Sequence, residues 1–211
     1  MKFEGILWDN DGILVDTEQY YYKATTEVMA EEGTPLTEED FYEHFLKGNK
    51  GAWHLIPGLT ETRLVELRAI RDKRYSNFLK TEEIILDGAE EVLDQLYGKL
   101  PMGIVTSSMK HHFEMIHSRT GFLKYFDFIL ANGDYARSKP NPDPYLAGLE
   151  KIGTDPKKTL VIEDSERGLL AAKAAGLTCW VIPTGLTEKG DFSVADRRLN
   201  SILELPDLLL I

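Results

Sequence analysis

Ile6-Leu7-Trp8-Asp9-Asn10-Asp11-Gly12 sets two carboxylates, one residue apart, directly after an apolar run. That order suggests a buried strand delivering acids to its carboxyl end. In open α/β sheets ligands gather outside the carboxyl ends of the strands, so a nucleophile, an acid/base group or a metal ligand would be useful there. The same residues also fit an ordinary turn, with Gly12 supplying a permissive backbone and both acids solvated. The ends of the other strands decide between the two.

Short apolar, β-branched or aromatic runs at 4–9, 101–106, 126–131, 159–163 and 178–183 read as strands. Helical patterns over 110–119, 143–152 and 165–175 separate most of them, and Leu86-Asp87-Gly88-Ala89 opens another, with Val92, Leu93 and Leu96 on one face. Alternating strands and helices predict βαβ units and a parallel sheet: an α/β, Rossmann-like three-layer core. Right-handed crossovers then bring the carboxyl ends of the strands to one edge.

The alternation fails once, because no strand pattern lies between Asp9 and residue 101. A helix over 17–32, a second opened by the capping-box-like Thr37-Glu38-Glu39-Asp40, and a charged helix over 61–80 fill the gap. Gly33-Thr34-Pro35, Gly48-Asn49-Lys50-Gly51 and Pro57-Gly58 punctuate it as turns. The expected organisation is a core of residues 1–16 and 84–211 with a helical domain, 17–83, inserted into it.

Composition bounds the function. At 211 residues the chain can bury a substantial core. Its single cysteine, Cys179, lies in the apolar run Leu177–Ile182 and reads as a small buried hydrophobe. No apolar run approaches the roughly 18 residues that span a membrane, and Met1-Lys2-Phe3-Glu4-Gly5 lacks a signal-peptide core, so a soluble cytoplasmic protein is expected. A net charge of −11, from 35 acidic and 24 basic residues, opposes nucleic-acid binding. It also repels small anions, so a phosphate site here needs local compensation from lysines, backbone N–H groups or a bound cation.

Three other strand ends carry suitable groups. Val105-Thr106-Ser107-Ser108 offers hydroxyls and free N–H groups where a helix begins, suiting an anion or an ordinary N-cap. In Ser138-Lys139-Pro140-Asn141-Pro142-Asp143-Pro144 three prolines stiffen the chain around a lysine able to neutralise a phosphoryl oxygen. Val161-Ile162-Glu163-Asp164-Ser165 brings a second pair of acids into a helix. Two carboxylate pairs with a hydroxyl and a lysine form a set far more specific than its parts. Carboxylates, water and phosphate oxygens suit Mg2+, no His or Cys is spaced for zinc, and no GxxxxGK[ST] loop is present. The chemistry implied is phosphoryl transfer.

With those residues in view, the chain resembles the haloacid dehalogenase (HAD) superfamily, in its Mg2+-dependent phosphatase and phosphomutase branch. Trp8-Asp9-Asn10-Asp11-Gly12-Ile13-Leu14-Val15-Asp16-Thr17-Glu18 resembles the first family motif, Thr106-Ser107-Ser108 the second, Lys139-Pro140 the third and Glu163-Asp164-Ser165 the fourth. The likeness runs from residue 4 to about residue 183. The helical insertion resembles the small cap of β-phosphoglucomutase-like members. Asn10 replaces an apolar residue common at that place, and strand alternation should turn its side chain away from the reacting phosphate.

The resemblance implies a covalent phosphomonoester hydrolase acting on a small phosphorylated metabolite. Asp9 would be the nucleophile and Asp11 the acid/base, with Thr106, Ser107 and Lys139 on phosphoryl oxygens. Mg2+ would be held by the Asp9 carboxylate, the Asp11 backbone carbonyl and Asp164, with Glu163 a further ligand or the group orienting a bound water. In the insertion, Leu46-Lys47-Gly48-Asn49-Lys50-Gly51-Ala52-Trp53-His54 resembles the loop by which such caps meet substrate, and Lys47 is the candidate contact. Trp53 and His54 also read as packing residues, as do Tyr20, Tyr21 and Tyr22 near the hinge. Where mutases typically carry a hinge histidine and a cap arginine, this chain has Tyr21 and Gly51, which favours a phosphatase over a β-phosphoglucomutase-like enzyme. A dehalogenase would lack the second acid, and a non-catalytic binding module should have lost motif acids. A monomer is expected.

Overall fold

A computed structural model describes residues 3–48 and 51–210. Its centre is β1 (Gly5–Trp8), flanked by β2 (Met102–Met109) and β4 (Thr159–Glu163). β3 (Phe128–Asn132) extends the sheet beyond β2, while β5 (Thr178–Val181) and β6 (Arg197–Arg198) extend it beyond β4. The strand order is 3-2-1-4-5-6, and every pairing is parallel. The chain therefore reverses its winding at β1, between β2 and β4, where doubly wound sheets bind ligands.

Side chains alternate across the sheet as the period of a strand requires. Ile6, Trp8, Ile104, Leu160 and Ile162 enter one apolar cluster, covered by α4 (Ala89–Leu96), α5 (Lys110–Thr120) and α8 (Leu205–Leu209). Leu7, Val105, Leu130, Val161 and Val181 enter another, covered by α6 (Asp143–Ile152) and α7 (Glu166–Ala174). The architecture is the expected three-layer α/β core. Gly148 lets α6 lie directly on the sheet, since a Cβ there would stand 2.9 Å from Val105 and 3.1 Å from Leu7.

Between β1 and β2 the described residues form α1 (Glu18–Glu31), α2 (Glu38–Phe41) and α3 (Glu61–Thr81). Thr37 caps α2 in the anticipated capping box, and Val28, Phe41, Trp53 and Leu67 join a third apolar cluster within this stretch. The chain enters and leaves it along one seam: Asp16 N–H donates to Ile84 O at 2.9 Å and Leu86 N–H to Leu14 O at 3.2 Å. Asn49 and Lys50, part of the anticipated turn, lie outside the described residues.

Three features depart from the sequence reading. A π-helical turn, Tyr42–Lys47, continues α2. β2 runs three residues past the expected end, so Thr106, Ser107 and Ser108 lie on the strand and the N-cap of α5 is Met109, which makes no side-chain cap. β6 was not anticipated, because a two-residue exposed edge strand carries no apolar pattern and forms only by backbone pairing. Among the described residues no helix is long and apolar enough to cross a membrane.

Leu7 is fully buried where α6 meets the switch point. Leu7→Ala is expected to lower unfolding stability by about 2–5 kcal/mol, read from urea denaturation.

Candidate active site

The carboxyl ends of β1 and β4, with the middle of β2, converge on one buried ammonium. Lys139, 2% exposed, donates from Nζ to Asp9 Oδ1 at 2.8 Å, Glu163 Oε1 at 2.7 Å and Val105 O at 2.9 Å. These three bonds use all the donors an ammonium has. Tyr145, at the start of α6, donates its hydroxyl to the same Glu163 oxygen at 2.6 Å. The other Glu163 oxygen accepts from Asp164 N, Ser165 N and Ser165 Oγ at 3.0–3.2 Å. Burial alone would raise the Glu163 pKa, but the charge and hydrogen bond of Lys139 hold it below the usual carboxylate value. Burial likewise disfavours the Lys139 ammonium, and Asp9 and Glu163 outweigh it, so Lys139 stays charged.

Asp9, Glu163 and Asp164 bring carboxylate oxygens within 4.8 Å of one another, three buried acids against one lysine. Burial, with the Glu163 charge, pushes the Asp9 carboxyl up to about 7 despite Lys139. Burial, with the charges of Glu18 and Glu163, pushes Asp164 well up too. Asp164 Oδ2 has no hydrogen-bond partner. An unpaired buried carboxylate oxygen is costly, and a hard divalent cation beside Asp9 and Asp164 would offset that cost, so the donor set fits Mg2+. Two glycines let the acids approach the backbone. At Gly12, which has φ +81°, a Cβ would lie 2.1 Å from Asp164 Oδ2, and at Gly168 one would lie 1.7 Å from Glu163 Oε1.

Asp11 stands among hydroxyls. Its Oδ1 accepts from Thr17, and its Oδ2 accepts from Thr106 at 3.1 Å and from Ser108 at 2.6 Å. Thr106 and Ser108 share a strand face by the two-residue period, while the Ser107 hydroxyl is buried without a hydrogen-bond partner. That alternation was available in the sequence and is the signal that would have assigned Ser108. Ser165 is the N-cap of α7, its hydroxyl accepting from Gly168 N at 3.1 Å.

A cavity of about 500 Å³ opens beside Asp11, lined on the core side by Ser107, Ser108 and His112 and on the inserted side by Tyr21, Trp53 and Arg71. Glu18 also lines it, its carboxyl pushed up to about 8 by burial against the lowering charge of Arg167. Lys47 is not brought to this cavity; it is half-exposed and paired with Glu43 at 3.4 Å, one turn back on its own helical segment. Trp53 is buried and His54 packs edge-on to His44. Tyr20 stacks on Phe78 and Tyr22 packs edge-on to Phe41, so of the three tyrosines only Tyr21 lines the cavity. Arg71 went unassigned because a basic residue in a charged helix gives no local signal of burial.

Residues 6–182 match the family model described as haloacid dehalogenase-like hydrolase. The chain belongs to that family. Among haloacid dehalogenase-like relatives, protein CbbY of Rhodobacter capsulatus is 30% identical over 94% of this chain and 93% of its own length. Fructose-1-phosphate phosphatase YqaB of Escherichia coli is 28% identical over 83% of this chain and 94% of its own. The crystal structure of CbbY from Rhodobacter sphaeroides in complex with phosphate superposes with a TM-score of 0.78 at 28% identity, covering 96% of each chain. The chain is therefore a hydrolase of the phosphatase branch, as the four motifs led us to expect.

Beside Asp9 and Asp11 of this haloacid dehalogenase-like hydrolase, Asn10 points away from the cavity. Its Oδ1 lies 2.8 Å from His117 Nε2, and His117 Nδ1 lies 2.8 Å from Thr120 Oγ1. Burial holds the His117 pKa down at about 4, from an ordinary 6.5, so the ring is neutral in the folded protein. Its contribution to stability is complete above pH 6.5 and is lost as the pH falls towards about 4. The difference in urea midpoint between wild type and His117→Gln should accordingly narrow from pH 7 to pH 4; a constant difference would contradict the neutral buried ring.

Proposed function

We propose that this chain is a Mg2+-dependent phosphomonoester hydrolase acting on a small phosphorylated metabolite through an aspartyl-phosphate. The observation that carries the reading is the pairing of Asp9 with Lys139 and Glu163 at the switch point, beside the unpartnered oxygen of Asp164. Residues 17–83 would serve as a cap over the cavity, with 1–16 and 84–211 as the catalytic core.

In this reading Asp9 attacks phosphorus, forming the acyl-phosphate bond as the bond to the leaving alcohol breaks. Asp11 gives its proton to the departing oxygen. Water then attacks the phosphoryl group, Asp11 takes a proton from that water, and inorganic phosphate leaves with Asp9 restored. The hydroxyls of Thr17, Thr106 and Ser108 suit both protonation states of Asp11, because a hydroxyl donates to a carboxylate and accepts from a carboxylic acid. Ser107 receives a phosphoryl oxygen, Lys139 sets its positive charge beside the transferred group while bonded to Asp9, and Thr106 positions Asp11. Mg2+, held by Asp9, the Asp11 carbonyl and Asp164, would neutralise charge on the transferred group. Glu163, with both oxygens engaged by protein donors, orients Lys139.

Purified protein with Mg2+ is expected to release inorganic phosphate from several phosphomonoesters, to stop on chelation and to recover when Mg2+ is restored. Asp9→Asn should lower turnover at least about a thousandfold while keeping the thermal unfolding profile. Substantial activity in that variant, or interconversion of glucose phosphates without phosphate release, would overturn the proposal.

A further inference from the structure

The cavity has a cationic wall that this chemistry leaves unused. Arg68 and Arg71 stand one helical turn apart on α3, and both line it. Arg71 is only 8% exposed; its Nε donates to Asp72 at 2.8 Å and its Nη1 to the Tyr21 hydroxyl. The guanidinium lies 4.5 Å from the centre of the Tyr21 ring and 5.7 Å from that of Trp53. Its Nη2 has no hydrogen-bond partner among the described residues. A guanidinium held at two nitrogens and packed on aromatic rings is fixed before a ligand arrives, so little side-chain entropy is lost on binding.

The charge of this wall is only half balanced. Asp72 pairs with Arg71, whereas exposed Arg68 makes no ion pair or hydrogen bond among the described residues. From α7, Arg167 lines the same cavity with its Nε buried and unpartnered, its charge set beside the Glu18 carboxyl. A neutral polyol would answer none of this positive charge, while an anion accepts bonds from both α3 arginines. Gly51, where a mutase-like arginine would stand, is pressed against Trp53 and Phe45, with a Cβ there falling 3.0–3.1 Å from their rings. α3 supplies the cations instead.

Building on the hydrolase reading, we infer that the substrate is anionic at both ends: besides the phosphoryl group presented to Asp9, it carries a second phosphate or a carboxylate received by Arg68 and Arg71. Two pairs of esters that differ in the distal group test this with the full chain and Mg2+. Glycerol 3-phosphate against 3-phosphoglycerate reports on a carboxylate, and fructose 1-phosphate against fructose 1,6-bisphosphate on a phosphate. The doubly anionic member of at least one pair should show kcat/KM higher by about tenfold or more, mostly through KM, and the responding pair identifies the distal group. Arg68→Met, at an exposed position, and Arg71→Met should each cut that ratio by about fivefold or more. Calorimetric binding of the same esters to Asp9→Asn should show the same preference.

Equal kcat/KM within both pairs, or a preference that survives both arginine substitutions, would overturn the inference and leave the hydrolase reading standing. Tighter binding of a doubly anionic ester to Asp9→Asn, with no phosphate released from any ester by wild type, would retain the inference and reject the hydrolase reading. Neither release nor preferential binding would reject both.

Discussion

The ammonium of Lys139, held between Asp9 and Glu163, is the constraint to which the rest of the structure answers. Its two carboxylate partners end neighbouring strands, β1 and β4, and its carbonyl partner, Val105, lies on β2. A lysine this deeply buried is tolerable only with all three in place, because removing one acid leaves an uncompensated charge in a low-dielectric interior. The parallel register of the central strands and the electrostatics of the site are thus one requirement. A slip of β1 by a single residue would turn Asp9 to the opposite face and strand the lysine.

Much of this was legible in the sequence, for physical reasons. Buried parallel strands are continuous apolar runs, so Ile6-Leu7-Trp8 and Leu160-Val161-Ile162 announced themselves, and the acids that follow them fell at the sheet edge by topology alone. Lys139 was legible through its prolines. What escaped depends on tertiary placement. Tyr145 is one aromatic among many until α6 docks and brings its hydroxyl to Glu163. Arg71 reads as a solvated charge until α3 turns it onto Tyr21. Lys47 shows the limit of local reading from the other side, since its place in the inserted segment does not make it line the cavity.

The acidic surplus of the chain shapes how it can treat an anion. With a net charge of −11, long-range attraction cannot gather phosphorylated molecules, and the compensation is local: one buried lysine, a trio of acids suited to a cation, and arginines along the far wall. Salt screens the repulsion of the outer surface far more than it weakens contacts inside a cavity. Discrimination among anions would therefore rest on the enclosed groups rather than on the outer charge.

The seam formed by Leu14, Asp16, Ile84 and Leu86 has a consequence for how such a protein can change over time. Because the chain returns to within hydrogen-bonding distance of where it departed, the sheet experiences the whole helical stretch as a short closed excursion. Loop-closure entropy grows only logarithmically with the length enclosed, so lengthening, shortening or exchanging that stretch costs the sheet little. The acids at the sheet edge and the arginines of α3 are in this way carried by parts of the chain that can be inherited separately.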